Sequence, residues 1–183
     1  MEFVVREDAA FRLDHEQFAY AGKFVVPGGK AVALEDGAPT SFPDPREEYV
    51  TGVLAAVAFS EDRTDADTLR LRYVTVRRDR RGEGIGTRLV TWTTDWAHDR
   101  GYETVAIAVN NPYSYESLSK AGFGFTGRET GLAELVMSHP SDRTRYDEGL
   151  ALFADRDLTD EELEFVAEKR ERGAPTVVSE ECD

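Results

Sequence analysis

The feature that most constrains the fold is a change of hydrophobic period across a glycine-rich segment near the middle of the chain. Residues 68–76 alternate between two faces, a pattern that predicts a β-strand. The residues of one face are Leu69, Leu71, Tyr73 and Thr75, and those of the other are Arg70, Arg72, Val74 and Val76. In residues 85–100 the apolar positions recur at intervals of four, three and four, which predicts an amphipathic helix. An almost wholly apolar run at 104–109 follows and is typical of a buried strand. Together they indicate a βαβ unit with two parallel strands.

Segments on either side of this unit indicate how the sheet is completed. Apolar segments upstream predict an antiparallel meander that ends in 68–76. They cover residues 2–5, 18–26, 30–35 and 49–59. Downstream, Asn111, Pro112 and Gly122 predict a helix over 112–121, because they suit its N-cap, its first position and its end. Closing strands are predicted at 123–126 and 132–138. The predicted fold class is α/β (α+β), with a mixed, mostly antiparallel sheet and helices on both faces.

The composition changes after residue 140. Residues 141–183 carry 14 acidic and 6 basic side chains, a net charge of −8. Thr159 and Glu162 form a capping box that predicts a helix ending near Arg172, and a further helix is predicted at 145–153. We therefore predict a main domain over residues 1–140 and an acidic helical extension with a tail over 141–183.

Three glycines, Gly82, Gly84 and Gly86, open the helix that follows the alternating strand. A helix start offers free backbone N–H groups and partial positive charge, and glycine lets an anion approach that backbone. Five arginines and two acidic residues lie between residues 77 and 88, a local charge of +3 in a chain of net charge −14. These observations predict a phosphate-bearing ligand. The spacing departs from the dinucleotide and Walker fingerprints, but another nucleotide ligand, or a helix start without a ligand, stays open.

The GNAT superfamily of acyl-CoA-dependent N-acyltransferases carries the signature Arg/Gln-x-x-Gly-x-Gly/Ala at such a helix start. This chain resembles it in the run Arg81-Gly82-Glu83-Gly84-Ile85-Gly86. A second motif of that family is similar to Asn111-x-x-Ser114 followed by Lys120-Ala121-Gly122-Phe123. The resemblance implies a GNAT-type fold whose parallel strand pair is splayed. It also implies acetyl-CoA as cofactor and direct transfer of the acetyl group to a primary amine of an acceptor.

The resemblance assigns roles to particular residues. Loop 81–87 would hold the coenzyme A pyrophosphate on its backbone amides, and Val74 and Val76 would pair with pantetheine as a strand does. Asn111 would bond the cofactor amides, although a plain helix cap is the alternative. The Val76 N–H would stabilise the oxyanion. The predicted cofactor-binding residues are Val74, Val76, Arg81, Gly82, Gly84, Ile85, Gly86, Thr87 and Asn111.

The catalytic positions depart from the family pattern. The usual tyrosine falls at Leu118, which cannot donate a proton. Tyr115, one turn earlier, is the candidate general acid, with core packing as its alternative role. The strand also lacks a Glu or His where relatives place a base, so the base would be solvent or a carboxylate of the first half. Candidate carboxylates are Glu35, Asp36, Glu47 and Glu48.

Arg70 and Arg72 occupy the strand face on which relatives place that base. An arginine cannot act as a base, but it can hold a carboxylate of the acceptor with two hydrogen bonds. Alternatively, both are surface charges paired with neighbours such as Glu47 or Glu48. The departures leave a second function open, a non-catalytic acyl-CoA-binding or regulatory module.

Composition excludes several other classes. With 36 acidic and 22 basic residues the chain does not favour nucleic acid or anionic membranes. It has no apolar run near 18 residues and no signal peptide pattern. A cytoplasmic location is therefore expected. The acid-rich surface with four lysines points to a halophilic, haloarchaeal source, with an ordinary acidic protein from a high-GC genome as the alternative. One cysteine, Cys182, and three histidines without ligand spacing imply no metal. Whether the chain forms a homodimer stays open.

Overall fold

Residues 1–179, which the computed structural model describes, form seven β-strands and four α-helices. They are divided between two units, Met1–Glu103 and Thr104–Asp183. Cys182 and the acidic end of the predicted tail lie outside the described residues. None of the helices in the described part of the chain has the length and apolar character needed to cross a membrane.

The first unit is an antiparallel meander with one long helix. Its elements are β1 (Glu2–Ala9), β2 (Gly28–Leu34), β3 (Val53–Glu61), β4 (Thr68–Val76) and α1 (Ile85–Asp99). Each strand pairs antiparallel with the next, so the predicted meander is confirmed. The expected strand at 18–26 is wrong. That segment is a loop with one turn of 3₁₀ helix at Ala21–Lys23. It is apolar because it buries the side chains of Phe18 and Phe24.

The two faces of this meander are covered differently. Helix α1 covers one face, where the ring centroid of Trp96 lies 5.3 Å from that of Phe59 on β3. Loop 10–27 covers the other face and adds apolar side chains to a core cluster with β2 and β3. The loop residues of this cluster are Phe11, Leu13, Phe18, Ala21 and Phe24.

A β-bulge in β4 changes which side chains share a face. Ala58 of β3 is opposite Tyr73, but the next residue, Phe59, is opposite Leu71. Arg72 is therefore an extra residue without a partner on β3, and the strict alternation expected from the sequence is wrong. Leu71 joins Phe59 on the α1 face, whereas Tyr73 packs against the core cluster under loop 10–27. A bulge re-aims side chains in this way.

The second unit holds the remaining strands and helices. They are β5 (Thr104–Val109), α2 (Pro112–Lys120), β6 (Gly124–Glu129), β7 (Leu135–His139), α3 (Tyr146–Ala154) and α4 (Asp160–Arg172). Strand β7 pairs antiparallel with both β5 and β6. The capping box of Thr159 and Glu162 begins α4 as predicted. Helix α4 packs against α2 through Tyr113 and Phe165, whose ring centroids are 4.6 Å apart. The domain boundary at residue 140 stays a prediction.

Candidate functional site

The backbone of loop 81–84 is open to solvent because of its glycines. Gly82 and Gly84 have φ angles of +84° and +76°, a left-handed conformation that glycine adopts without strain. A Cβ added to either would meet no atom within 4 Å. Gly84 is the N-cap of α1, and no side chain caps the helix there. Within residues 1–179, the start of α1 therefore has no N-cap side chain at a point where an anion is favoured.

Gly86 has a different function from the other two glycines. A Cβ on Gly86 would lie 2.8 Å from Cγ2 of Val76, so this glycine permits the first turn of α1 to approach β4. Ile85 and Thr87 on either side of it are buried. They fix the start of the helix on the sheet while the preceding residues stay exposed.

The arginines around the loop fall into two groups. Arg77 forms ion pairs with Glu35 and Asp79, at 2.8 and 2.7 Å, and Arg80 forms one with Glu83 at 2.8 Å. The other three have no carboxylate partner among residues 1–179. They are Arg78, Arg81 and Arg88. The local charge of +3 therefore comes from three guanidinium groups without a carboxylate partner. Of these, Arg78 donates from Nε to the carbonyl of Glu16, and the guanidinium of Arg88 lies over the ring of Phe3.

Strand β4 directs alternate amides away from β3. The N–H of Arg77 donates to the carbonyl of Leu54 over 2.8 Å, and Val76 is opposite Ala55. In an antiparallel pair this makes Val76 and Ala55 a non-hydrogen-bonded pair. The N–H groups of Val76 and, two residues earlier, Val74 consequently point to the edge of β4 opposite to β3, as a strand-like ligand would require.

Arg70 and Arg72 have different partners. The Nε of Arg70 lies 2.6 Å from Oδ2 of Asp62, and the pKa of that carboxyl is held below its usual range by the N–H of Thr64 and by Arg70. The Nε of Arg72 donates to Oγ of Ser60 over 2.8 Å, and Arg72 has no ion pair among the described residues. Surface pairing therefore explains Arg70, with Asp62 rather than Glu47 or Glu48 as partner, but not Arg72.

Asn111, in the second unit, is fully engaged as the N-cap of α2. Its Oδ1 accepts the N–H of Ser114 at 2.9 Å, and its Nδ2 donates to Oγ of Ser114 at 3.0 Å and to Oδ1 of Asn110 at 3.1 Å. These bonds use the whole amide group. The geometry supports the capping role, and cofactor binding by this side chain stays a prediction.

Tyr115 lies in what we call the tyrosine cluster, formed by Tyr115, Glu116 and Tyr146. Tyr115 is 0% exposed, and its hydroxyl donates to the carbonyl of Tyr146 over 2.9 Å. Burial, with the charge of Glu148 second, raises the pKa of Tyr115 above its ordinary value. Its phenol proton is thus both shielded and committed to another bond. The position supports core packing, and the role of general acid stays a prediction.

Sequence analysis missed the other half of this cluster. Glu116 is buried and accepts a hydrogen bond from the hydroxyl of Tyr146. Gly149 lets α3 approach, since a Cβ there would lie 2.3 Å from the Tyr115 hydroxyl oxygen. No local pattern reveals this arrangement, because Tyr146 lies about thirty residues after Tyr115 and Glu116 in the sequence. Leu118 is buried on the same helix, as an apolar residue is expected to be.

Two of the four candidate carboxylates for the general base are bound to other groups. Glu35 is held by Arg77, and Asp36 is paired with the amino group of Met1. Within residues 1–179 no group of three or more His, Cys, Asp or Glu side chains could hold a metal ion.

Comparison with known proteins places the chain in a family. Residues 6–123 match the family model described as acetyltransferase (GNAT) family. A search of curated proteins gave no match. Among solved structures, PaiA N-acetyltransferase from Thermoplasma acidophilum, in complex with coenzyme A, is 14% identical with a TM-score of 0.45, over 60% of this chain and 58% of that one.

Two further structures are similar to a comparable degree. A GCN5-related N-acetyltransferase from Kribbella flavida is 23% identical with a TM-score of 0.47, over 62% of this chain and 67% of that one. An N-acetyltransferase from Staphylococcus aureus Mu50 is 21% identical with a TM-score of 0.45, over 60% of this chain and 64% of that one. The match to the family model spans more than half of the sequence, and the chain therefore belongs to the acetyltransferase (GNAT) family.

Proposed function

We propose that this protein is an N-acetyltransferase that takes an acetyl group from acetyl-CoA and transfers it to a primary amine of an acceptor. The observation that carries the proposal is the open glycine backbone at the start of α1. Gly82 and Gly84 present it without any Cβ, and Arg78, Arg81 and Arg88 lack carboxylate partners there within residues 1–179. A pyrophosphate suits this combination of free N–H groups and guanidinium groups.

Strand β4 supports the same ligand at a second point. When bound, acetyl-CoA supplies an acetyl group activated as a thioester. The N–H groups of Val74 and Val76 point away from β3, and such groups can bind an extended amide chain in the manner of an added strand. The Val76 N–H is also a fixed donor for an oxygen on which negative charge develops. These backbone groups would bind and orient the acetyl donor.

The proposal gives no side chain the role of acid or base. The acceptor amine must lose a proton before or during attack, and Leu118 and the buried Tyr115 offer no titrating group for this step. Solvent then takes the proton, with the carboxylates of Glu47 and Glu48 as the alternative, since no ion pair occupies either of them within residues 1–179. The rate enhancement would then come from orientation and from backbone donors.

A second candidate is a non-catalytic acyl-CoA-binding or regulatory module. The observation that favours it is the combination of Leu118, where the family places a tyrosine, with the commitment of the Tyr115 hydroxyl to Tyr146. Such a module would bind the same ligand through the same loop, residues 81–87, which we call the glycine loop. Only turnover separates the two functions.

The test follows free thiol in the presence of acetyl-CoA and a panel of primary amines. Thiol release that requires both protein and amine supports the enzyme. Binding of coenzyme A by calorimetry, without thiol release for any amine, supports the binding module. A thermal shift with ATP or NAD, and none with coenzyme A, would contradict both and support a nucleotide-binding protein.

We also infer that the protein works in a salt-rich cytoplasm. Its net charge is −14 with only four lysines, and self-repulsion of this size is screened by salt. The melting temperature should rise between dilute buffer and molar potassium chloride. Equal values would contradict the halophilic source. The same charge disfavours nucleic acid and anionic membranes as partners, and a homodimer stays a prediction.

A further inference from the structure

A second group of basic side chains without acidic partners lies in the first unit, away from the glycine loop. Arg72 donates to Ser60, and Lys23 lies with its Nζ 5.5 Å from the ring centroid of Tyr73. Neither forms an ion pair with any residue among 1–179. In a chain with 36 acidic and 22 basic residues, two exposed cations that both lie next to Tyr73 and have no ion pair within residues 1–179 can still bind an anionic ligand.

The bulge in β4 places these cations beside two aromatic rings. Because Arg72 is the extra residue of the bulge, it bonds to Ser60 on the side of the sheet where Tyr73 packs. The ring of Tyr20 lies 5.7 Å from that of Tyr73, centroid to centroid, at an angle of 41°. Tyr20 is nonetheless 50% exposed, so one side of this ring pair is available to a planar group.

The backbone of Tyr20 has an unfavourable conformation. Its φ is +58°, a left-handed conformation that is unfavourable for a residue with a side chain. The loop that carries it is fixed at both ends. Lys30, buried on β2, donates from Nζ to the carbonyls of Ala9 and Val26, at 3.1 and 2.9 Å. Strain that the surrounding structure maintains is a mark of functional segments.

A buried hydroxyl on the same strand lacks a partner. Oγ1 of Thr75 has no hydrogen bond among the described residues, and Thr75 is only 3% exposed. It lies two residues beyond Tyr73 and therefore on the same face of β4. Buried polar atoms are almost always satisfied, and because this hydroxyl is closed off from solvent, it does not line the exposed surface beside Tyr20.

We propose that Arg72, Lys23, Tyr20 and Tyr73 bind the acceptor, and that the acceptor is an amino acid with an aromatic side chain. Arg72 and Lys23 would hold its carboxylate, and the exposed tyrosine ring would stack on its aromatic group. Arg72 precedes Val74 by two residues, roughly 7 Å along a strand, which suits a molecule of this size. The identification of this amino acid as the acetyl acceptor rests on the proposed function, whereas its binding at this site does not.

Partial loss of solvent acts on the charge of Arg72, although the residue as a whole is exposed. The pKa of Arg72 is lowered by burial, and the positive charge of Arg70 adds to that effect. Arg70 and Arg63 lower this pKa, whereas Asp62 and Tyr73 raise it, and Oγ of Ser60 accepts the hydrogen bond from Arg72. Since Asp62 is already bound to Arg70 at 2.6 Å, an incoming carboxylate would relieve an unfavourable arrangement of positive charge.

The experiment compares phenylalanine, phenylalaninamide and alanine as acceptors of the parent and of two variants. Arg72→Gln should raise KM for phenylalanine about tenfold to a hundredfold and leave KM for phenylalaninamide unchanged. Tyr20→Asn, which keeps a residue tolerant of left-handed φ, should raise KM for phenylalanine several-fold and leave alanine unchanged. Comparing each variant with the parent for one acceptor cancels differences in amine basicity. Arg63→Gln, which removes a nearby exposed charge, is the matched control and should change neither KM.

Equal effects of Arg72→Gln on phenylalanine and its amide would overturn the proposal, as would equal effects of Arg63→Gln and Arg72→Gln. If no amine releases thiol, the proposed function fails but this inference is still decided. Calorimetry on the protein with coenzyme A added would then measure binding of phenylalanine and phenylalaninamide. At least tenfold tighter binding of phenylalanine, lost in Arg72→Gln, supports the site, and equal binding overturns it.

Discussion

The glycine loop of the first unit and Tyr115 of the second unit were both indicated by short motifs, yet their surroundings in the structure differ. In the loop, Gly82 and Gly84 leave the backbone exposed and without side-chain caps. In the cluster, the hydroxyl of Tyr115 is buried and bound to a carbonyl on α3. The glycine motif produces a backbone surface that a ligand can reach, whereas the motif at Tyr115 produces a contact inside the protein.

The difference follows from what each motif encodes. Glycine spacing determines backbone conformation, which depends on residues within a few positions and so survives in any surrounding structure. The availability of a tyrosine hydroxyl depends on what packs over it. For Tyr115 that is Tyr146 and Gly149, about thirty residues later in the chain. Local motifs are therefore stronger evidence for backbone sites than for catalytic side chains.

The largest expected effect tests whether the tyrosine cluster is structural. Tyr146→Ala removes a buried ring and leaves the Glu116 carboxyl without its donor. We expect the free energy of unfolding to fall by about 3–5 kcal/mol, as for other large truncations in cores. Urea unfolding at neutral pH measures it.

Tyr146→Phe is the matched control for that variant, since it keeps the ring and removes only the hydroxyl. It should lower the free energy of unfolding by about 1–3 kcal/mol, the range for a buried group left unsatisfied. A loss below about 1 kcal/mol for Tyr146→Ala would contradict a structural role of the cluster, since buried rings contribute more than this.

The next effect tests the loop. Gly84 has a φ of +76°, which Asn and Asp both tolerate better than other residues with side chains. Gly84→Asp and Gly84→Asn therefore share the same backbone strain and differ in one negative charge. Near a pyrophosphate that charge should weaken coenzyme A binding by about 1–4 kcal/mol, roughly fivefold to several hundredfold in Kd. Calorimetric Kd values that are the same for both variants would show that no phosphate binds at this loop.

The sequence predicted those parts of the fold that depend on period and on turn chemistry. The meander, α1, α2 and the capping box of Thr159 and Glu162 all follow from local patterns. The predicted GNAT-type fold is confirmed by the family match. Loop 10–27 was mistaken in part for a strand because its buried Phe18 and Phe24 give the same hydrophobic signal as a strand does.

Two features of the candidate site could not be predicted in this way. The bulge at Arg72 is an insertion in pairing, and the sequence of β4 alone continues to alternate through it. The ion pairs that neutralise Arg77 and Arg80, but not Arg81, depend on the fold around Glu35 and on the turn at Glu83. The sequence predicted a net local charge, and the structure shows which arginines carry it.

A smaller effect separates the two roles considered for Tyr115. Tyr115→Phe removes one buried hydrogen bond, and we expect the free energy of unfolding to fall by about 0.5–1.5 kcal/mol. The value of kcat for acetyl transfer should stay within about twofold, because a general acid would be worth roughly a hundredfold or more. Steady-state kinetics with a saturating acceptor measures this. A hundredfold fall in kcat would show instead that Tyr115 acts in catalysis and that the tyrosine cluster is part of the catalytic machinery.

The smallest effect concerns the dependence of stability on alkaline pH. Burial, with the charge of Glu148 second, raises the pKa of Tyr115 in the folded protein, while in the unfolded chain it stays at about 10. Above that value the unfolded state loses the proton first, so its free energy falls and stability decreases as pH rises. Between about pH 8.5 and about pH 10.5 this single group should lower the free energy of unfolding by about 0.8 kcal/mol.

The measurement is the difference in unfolding free energy between the parent and Tyr115→Phe at each pH, in which the contributions of other titrating groups cancel. That difference should shrink by the stated amount as the pH is raised. If it does not change, Tyr115 ionises equally in both states, its hydroxyl is exposed to solvent, and the tyrosine cluster is as open to chemistry as the glycine loop.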